Sequence, residues 1–440
     1  MTLTGTRTPQ PTGGAVSRSV LPGGLRVVTE HVPGVRSVSI GVWVGVGSRD
    51  ETPGLAGAAH FLEHLLFKKT PTRTAASIAR ELDAVGGELN AFTSKEHTCF
   101  YAHVLDDHAA MAVDVLADVV VRGECAAADV EVEREVVLEE MAMRDDDHED
   151  LLADAFMTAV FGDAPIGRPV IGTPEVVGSL SAHRIRGFHT RRYTPDRMVV
   201  AVAGNITHRE VVSLVRRAFG PHLDPDATTA APRRRTRPAR AVGAAQIVDR
   251  DSEQTHLMIG MPTGGVDDPD LPALSVLNAA VGGGLSSRLF QQIREERGLA
   301  YSVYSSLDTF SDVGTFSVYA GCNPERAGEV TNVVTQILAD IAENGIDRDE
   351  ITRARGSLRG SMLLGLEDTG SRMHRLGLGE IDHGRYRTVA SSLRRIDGVR
   401  PVHVSAVARK VLTHRPSLAV VGPYRREKDL PAELRTLVDH

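Results

Sequence analysis

The chain has 440 residues, a formal net charge of −7 and an isoelectric point of about 6.2. This acidic balance argues against nucleic acid or an anionic membrane as the main partner. Hydrophobic residues make up 42% of the chain and charged residues 24%, which is typical of a globular protein. The length exceeds one ordinary hydrophobic core and predicts two or three domains of about 150 residues each.

The three cysteines, Cys99, Cys125 and Cys322, are too few and too scattered for a disulfide framework, and none forms a C-x-x-C pair. No apolar stretch reaches the roughly 18 residues that predict a transmembrane helix. Residues 1–18 also lack the apolar segment of a secretory signal. We therefore expect a cytoplasmic protein with no membrane partner, beginning with a disordered tail over residues 1–17.

The first half of the chain starts with alternating apolar residues at 38–46, a pattern that predicts a β-strand. Helices and strands then follow in mixed order, and a last helix closes this half. The other predicted elements are helices at 57–67 and 74–85, the second with Thr74 as N-cap and two glycines as its stop, strands at 88–93 and 98–105, long helices to about residue 193, and a buried strand at 198–203.

Residues 224–244 are rich in Pro, Thr, Ala and Arg, have no hydrophobic period, and predict a linker. The order of elements then repeats, with strands near 256–261, 301–306, 314–319 and 417–421 and helices near 271–281 and 287–297. The sequence therefore predicts an α+β fold of two tandem homologous domains, 18–223 and 245–440. Each is expected to be a mixed or antiparallel sheet covered by helices.

A motif with metal-binding spacing, His60-Phe61-Leu62-Glu63-His64, lies in the first apolar helix. Because the two histidines are four residues apart, both imidazoles project from one helix face and can present two nitrogens to one Zn²⁺. Glu63 lies at the edge of that face, within reach of a metal-bound water, in the H-x-x-E-H order of the inverzincins. The alternative is a helix with two surface histidines, although the surrounding apolar residues favour burial.

Zinc in hydrolases usually takes three protein ligands and leaves one position for water, so a third ligand is expected elsewhere. Residues 130–141 predict an amphipathic helix in which Glu133, Val136, Val137 and Glu140 share one face. Two carboxylates on a half-apolar face need partners. This indicates Glu140 as a ligand and Glu133 as the group that orients a metal-binding histidine. A solvated acidic face is the alternative.

The chain resembles the pitrilysin and mitochondrial processing peptidase family of zinc peptidases. That family's motif is H-x-x-E-H followed by a glutamate about 76 residues after the second histidine, and the step from His64 to Glu140 is 76 residues. Flanking segments at 86–93, 165–169 and 193–198 also match. The resemblance covers about residues 18–425 of the sequence.

The resemblance implies how a peptide is held. In the family, the strand corresponding to Asn90 and Ala91 is a sheet edge beside the zinc, and substrate pairs with it as an added strand. In the second half, Arg294 and Tyr301 match an arginine–tyrosine pair that reaches the bound peptide, and Tyr301 would stabilise the developing oxyanion. A helix-to-strand junction that stops at Gly298 is a compatible structural interpretation.

One zinc ion per chain is implied, because the second half has Ser275 and Asn278 roughly where the first half has its H-x-x-E-H motif. The mitochondrial enzyme divides the zinc motif and the arginine–tyrosine pair between two different subunits. This chain carries both, so it resembles the bacterial single-gene members, which work as homodimers.

Three further residues match positions that set substrate preference in the family. Asp150 and Asp154 lie 10 and 14 positions past the zinc glutamate, where mitochondrial members receive a substrate arginine. Phe67 matches an aromatic residue that packs against the residue after the cut. We therefore expect a preference for Arg or Lys upstream and an apolar residue downstream. The alternative for Asp150 is a helix-capping turn, since it ends an acidic run.

Together these observations predict a zinc-dependent endopeptidase for extended peptides or unfolded segments, with Glu63 activating the zinc-bound water as nucleophile. Two other functions stay open. One is a non-catalytic scaffold, as in core subunits of the respiratory ubiquinol–cytochrome c reductase. The other is a peptide-binding partner that needs a second subunit for activity. Retention of the zinc motif and of the arginine–tyrosine pair favours the peptidase.

Overall fold

The computed structural model describes residues 6–9, 15–233 and 238–438. Its strands are β1 (Thr6–Pro9), β2 (Ala15–Val20), β3 (Arg26–His31), β4 (Ser37–Val44), β5 (Glu88–Thr93), β6 (Thr98–Leu105), β7 (Met198–Gly204), β8 (Ala245–Asp249), β9 (Thr255–Gly264), β10 (Ala300–Thr309), β11 (Val313–Cys322) and β12 (Ser417–Gly422). Its α-helices are α1 (Ala58–Leu66), α2 (Ala75–Asp83), α3 (Ala109–Arg122), α4 (Ala127–Asp146), α5 (His148–Phe161), α6 (Pro174–Ser179), α7 (Ala182–Arg192), α8 (His208–Phe219), α9 (Leu271–Gly282), α10 (Ala327–Asn344), α11 (Arg348–Gly365), α12 (Thr369–His383), α13 (Val389–Asp397), α14 (Pro401–Leu412) and α15 (Ala432–Val438).

The strands form two mixed sheets. The first has the order β1-β2-β3-β7-β4-β6-β5, in which β3 and β7 are parallel and the other neighbours antiparallel. The second has the order β10-β11-β9-β12-β8, in which β8 and β12 are parallel and the other neighbours antiparallel. Five strands of the first sheet, β3-β7-β4-β6-β5, thus repeat the order and directions of the whole second sheet. The predicted α+β fold of two homologous domains is confirmed.

The chain divides into two compact units that are not contiguous in sequence. The first comprises the described residues of Met1–Met141, Pro169–Arg233 and Leu363–Ser392, and the second those of Ala142–Arg168, Arg234–Met362 and Leu393–His440. Each half of the chain therefore contributes a helix to the unit built mainly by the other half. Those helices are α12 for the first unit and α5 for the second.

Helix α12 covers β3, β4 and β7 of the first sheet. Its Met373 lies in a buried cluster with Trp43 and Val199, and the Trp43 indole N–H donates to Met373 Sδ at 3.4 Å. Gly377 makes the close approach possible, because a Cβ at that position would overlap the Trp43 ring. A helix from late in the sequence thus completes the core of the first unit.

Helix α5 occupies the equivalent position in the second unit, where it packs on β8, β9 and β12. Leu152, Phe156 and Val160 recur at helical spacing and lie in a buried cluster with Met258 and Ala419 of the sheet. Apolar residues at i, i+4 and i+8 explain why this segment is a helix with one buried face.

Several predicted boundaries agree closely with the structure. Strands β5 and β6 have the predicted limits, and Thr74 caps α2 by accepting the N–H of Ser77 at 3.3 Å. The helix expected near residues 287–297 is a π-helical segment at Phe290–Glu295. None of the helices in the described ranges is long and apolar enough to cross a bilayer.

Two predictions about the chain's organisation need correction. A disordered tail was expected over residues 1–17, but Thr6–Pro9 and Ala15–Val20 are paired antiparallel strands. The prediction is wrong for residues 6–9 and 15–17, while 1–5 and 10–14 lie outside the described residues. A simple division at the linker 224–244 also did not anticipate the two exchanged helices. Of that linker, residues 234–237 lie outside the described part.

Candidate metal centre

Helix α1 carries the H-x-x-E-H motif, and its start is fixed by a carboxylate. Glu51 accepts the backbone N–H of Gly57 at 2.9 Å and that of Ala59 at 2.6 Å, so it satisfies amide groups that have no partner within the helix. Gly57 has φ +90°, and a Cβ there would lie 2.5 Å from the carbonyl oxygen of Ile171. The positive φ and the lack of space for a Cβ both require glycine at this N-cap position of α1.

The rest of α1 explains why its two histidines point together. Phe61, Leu62 and Leu65 are fully buried in the core of the first unit, which fixes the rotation of the helix. His60 and His64 lie on the remaining face with their ring centroids 4.9 Å apart. The burial expected from the apolar surroundings is therefore seen for the helix, while both imidazoles stay partly accessible.

Helix α4 brings two glutamates to these histidines, and Arg134 anchors it. The Arg134 guanidinium donates to the carbonyl oxygens of Val177 and Leu180 and lies over the Phe61 ring of α1. Because Glu133 and Glu140 are two helical turns apart, both carboxylates then reach the histidine face. Of the predicted shared face, Glu133 and Val137 are buried and Glu140 reaches the histidines, whereas Val136 is 45% exposed.

His60, His64 and Glu140 are the one group in the described part of the chain with the spacing of a three-ligand metal site; their ligand atoms all lie within 4.8 Å of one another. His60 Nε2 lies 3.5 Å from Oε1 of Glu140, and His64 Nε2 lies 3.3 Å from its Oε2. Ligand atoms bound at about 2.0–2.1 Å to a tetrahedral zinc stand about 3.3–3.4 Å apart. Two imidazoles and one carboxylate at this spacing fit Zn²⁺.

The Nδ1 atoms of the two imidazole rings have different surroundings. His64 Nδ1 lies 3.4 Å from Oε2 of Glu133, so this carboxylate is placed to hold the proton on Nδ1 and leave Nε2 free as a ligand. His60 Nδ1 is buried and has no hydrogen-bond partner among the described residues. Glu133 therefore lies next to His64, and its role in orienting that histidine stays a prediction.

The charges at the centre are strongly coupled. Hydrogen bonds from His60 and His64 hold the pKa of Glu140 well below its usual range, with their charges adding to the effect against burial. Burial alone would lower the pKa of His64, but its hydrogen bond to Glu140 and the charges of Glu140, Glu63 and Glu133 raise it. The centre thus concentrates negative charge around its imidazoles, which suits a cation in place of their protons.

Glu63, the predicted base, is not part of the three-ligand group. Its Oε2 accepts a hydrogen bond from Thr93 Oγ1 at 2.6 Å, and Thr93 in turn receives one from Thr98 at 3.5 Å. These hydroxyls hold the Glu63 carboxylate from the side of β5. A carboxylate that is oriented but not used as a ligand is what a general base requires.

The residues expected at the peptide-binding edge also lie in the first unit. Asn90 and Ala91 belong to β5, which is the outermost strand of its sheet and pairs with β6 on one side. The N–H of Ala91 donates to the Asn90 side-chain oxygen at 2.8 Å. Phe67 follows α1 and packs against Phe100, with centroids 5.7 Å apart. The edge position is confirmed, and the substrate contacts stay a prediction.

Asp150 and Asp154 belong to the second unit. Asp147 caps α5 by accepting the N–H groups of Glu149 and Asp150, so the acidic run does form a capping turn. Asp154 pairs with Arg144 at 2.6 Å. Burial and the neighbouring carboxylates raise the pKa of Asp150. Their role in receiving a basic side chain stays a prediction.

Arg294 and Tyr301 also belong to the second unit, and they contact each other. The Arg294 guanidinium lies 5.1 Å from the centre of the Tyr301 ring and 4.8 Å from that of Phe290. Tyr301 lies where the β10–β11 register shifts, and it is 79% exposed. An irregularity of this kind re-aims a side chain out of the sheet. Gly298 separates the helical segment from β10, as expected.

Three residues that position the centre were missed by sequence reasoning. Glu51 caps α1, Thr93 holds Glu63, and Lys68 pairs with Oε1 of Glu133. The carboxylate before a helix start is a recognisable signal for Glu51. Nothing in the spacing of Thr93 or Lys68 distinguishes them from other surface residues.

Two family models match the chain: Insulinase (Peptidase family M16) over residues 26–174, and Peptidase M16 inactive domain over residues 179–358. A protein named as an uncharacterized zinc protease from Mycobacterium leprae is 57% identical over 96% of this chain and 95% of its own length. One of the same kind from Bacillus subtilis is 37% identical over 93% and 98%.

Among solved structures, a protease from Helicobacter pylori superimposes with a TM-score of 0.85 at 21% identity, covering 93% of this chain and 99% of its own. The family model and the relatives, which are named zinc proteases, define the class as zinc peptidases. Within that class the chain belongs to peptidase family M16, the pitrilysin family. The family predicted from the motif and its spacing is confirmed.

Proposed function

We propose that this protein is a zinc-dependent endopeptidase that cleaves extended peptides or unfolded segments. The observation that carries the proposal is the convergence of His60, His64 and Glu140 in one unit, with Glu63 beside them and outside the ligand set. A purely structural metal site closes all four positions with protein ligands, whereas a hydrolase keeps one for water. Three ligands plus an oriented carboxylate support the hydrolase.

When bound at these residues, zinc would supply a Lewis acid for the attacking water and the substrate carbonyl. Glu63 takes the proton of that water as it attacks, and gives it to the departing amine. Thr93 keeps the Glu63 carboxylate in place during both transfers. Tyr301, whose side chain is exposed, is proposed to donate a hydrogen bond to the carbonyl oxygen as negative charge develops there.

We propose that peptide substrate pairs with the open edge of β5. Strand addition gives affinity through main-chain hydrogen bonds and leaves sequence choice to side pockets. Asp150 and Asp154 would favour Arg or Lys upstream of the cut, and Phe67 an apolar residue downstream. Cleavage sites mapped in a mixed peptide library test both preferences, and sites without upstream basic enrichment would remove the two aspartates from the proposal.

Removing the metal tests the reaction itself. Purified wild type is expected to carry one zinc per chain by elemental analysis and to cleave a quenched fluorescent peptide until a chelator is added. His64→Ala should lose both zinc and cleavage. One bound zinc without any cleavage, across a broad peptide library, would instead favour the non-catalytic scaffold. Peptide binding without cleavage would favour the partner that needs a second subunit.

We also propose that the chain works as a homodimer in the cytoplasm. It carries both the zinc motif and the arginine–tyrosine pair, as the bacterial single-gene members do. All three cysteines are buried free thiols, and burial raises the pKa of Cys125 and Cys322 to about 11. Thiols of this kind suit a reducing compartment. Light scattering after gel filtration measures the oligomeric state directly, and a monomer that cleaves peptides would contradict the dimer.

A further inference from the structure

Lys68 lies just beyond the helix that carries the candidate zinc ligands. Helix α1 ends at Leu66, and the Lys68 N–H bonds to the carbonyl oxygen of Leu65 at 3.1 Å, which continues the last turn. This places Lys68 one turn after His64. Its Nζ pairs with Oε1 of Glu133, the carboxylate whose other oxygen faces His64.

The partner of Lys68 is a carboxylate that needs a positive neighbour. The Glu133 side chain is only 4% exposed, whereas that of Lys68 is 36% exposed. Burying an unpaired carboxylate is costly, so a buried glutamate without a counter-charge tends to turn away toward water. The Lys68 ammonium provides that counter-charge from the solvent side.

We propose that Lys68 is a positioning residue of the metal centre: its ammonium group holds the Glu133 carboxylate turned toward His64. Glu133 then accepts the Nδ1–H of His64, which fixes the ring orientation and leaves Nε2 as the ligand atom. Lys68 touches neither metal nor substrate in this scheme and acts only through Glu133. The inference rests on the proposed zinc site of the preceding section.

Removing the Lys68 ammonium changes zinc affinity in opposite directions under a positioning role and under simple charge repulsion. A positive charge close to a bound cation repels it, so charge alone predicts that removing the Lys68 ammonium tightens zinc binding. Positioning predicts the opposite, because Glu133 loses its orientation and His64 its fixed tautomer. Loss of such outer partners typically weakens metal binding by roughly 10- to 100-fold.

The test measures zinc affinity by competition with a chromophoric chelator on the full chain. Lys68→Met should weaken zinc binding by at least tenfold, and Lys68→Arg should restore it because the charge is retained. Lys69→Met is the matched control, since Lys69 pairs with Glu124 at 3.0 Å instead of with the centre. Thermal unfolding of the zinc-free variants checks that each one folds.

A double variant shows whether Lys68 acts through Glu133. In a Glu133→Gln background, Lys68→Met should cause no further loss of zinc affinity, because the carboxylate it serves is already gone. Zinc binding in Lys68→Met as tight as in wild type, or a loss that adds fully to that of Glu133→Gln, would overturn the proposal.

The outcome is independent of peptide cleavage. If wild type binds one zinc but cleaves no peptide, the proposed reaction fails while the zinc affinities still decide the role of Lys68. If His64→Ala leaves the zinc content of the chain unchanged, the metal site itself fails, and Lys68 with it. The cobalt-substituted chain adds a second readout, because a displaced His64 changes the visible absorption spectrum of the ion.

Discussion

Replacing Glu63 by glutamine separates proton transfer from metal binding more cleanly than any other change at the centre. Glutamine has the same shape, and its side-chain oxygen can still accept the Thr93 hydroxyl that now lies 2.6 Å from Glu63 Oε2. Glu63 is not in the three-ligand group, so zinc content should stay at one per chain. What the variant loses is the ability to take a proton.

The size of the loss follows from that role. General acid–base catalysis contributes about 10²- to 10⁴-fold, which corresponds to roughly 3–5 kcal/mol of activation free energy at about 1.4 kcal/mol per decade. Because Glu63 is proposed to act twice, first as base and then as acid, we expect the upper part of that range. The effect should appear in kcat, since the variant retains the β5 edge proposed to bind peptide.

The assay is continuous cleavage of a quenched fluorescent peptide, with zinc measured on the same samples. Glu139→Gln is the control, because Glu139 is an exposed neighbour of Glu140 on α4 and its loss removes the same charge near the centre. That variant should remain within about twofold of wild type. A Glu63→Gln enzyme with full zinc and a tenth or more of the wild-type kcat would refute the assignment of Glu63 as base.

Three further changes test other parts of the centre and its support. Thr93→Val should lower kcat by roughly tenfold with zinc unchanged, since the hydroxyl that orients Glu63 is lost. Gly57→Ala should destabilise the fold by more than about 1 kcal/mol in chemical unfolding, because alanine is strained at φ +90° and meets a carbonyl oxygen. Burial lowers the pKa of His97 from 6.5 to about 4. The unfolded chain therefore binds a proton that the folded chain does not as pH falls from 6.5 to 4, and this should reduce the unfolding free energy by about 3 kcal/mol across that window.

Each of these has a matched comparison. Thr93→Ser keeps the hydroxyl and should recover kcat; equal activity of the valine and serine variants would contradict the role of the hydrogen bond. Gly356→Ala, at an open position inside α11, should stabilise by up to about 1 kcal/mol, so equal effects of the two glycine changes would contradict the strain argument. His97→Gln should lose the decrease in unfolding free energy at low pH. If the unfolding free energy of this variant differed between pH 7 and pH 4.5 as much as that of wild type, the assignment to His97 would be contradicted.

Much of the centre was predictable because its chemistry depends on short-range geometry. A spacing of four puts His60 and His64 on one helix face, and a spacing of seven does the same for Glu133 and Glu140. The pairing of the two helices is a long-range contact that spacing cannot give, and there the resemblance to a known family supplied the answer. The roles of Thr93 and Lys68 could not be predicted, because they depend on which carboxylate lies beside each side chain in the fold.

In the fold, too, local features were predictable and long-range contacts were not. Strands β5 and β6 were predicted with their observed limits because alternation and flanking turns are local signals. The exchange of α5 and α12 was not predicted, because an apolar helix face does not state which sheet it covers. The first sheet is flanked by helices from the same half of the chain, so the sequence alone gives no sign that it needs a further helix from the other half.

That exchange has a consequence during synthesis on the ribosome. The last strand of the first sheet, β7, is finished at Gly204, but the helix that covers Trp43 begins only at Thr369. At translation rates of about 5–20 residues per second, this leaves an apolar face unprotected for roughly 10–30 s. We therefore expect a gene truncated at the linker to yield aggregated material, and co-expression of a segment spanning α12 to rescue it.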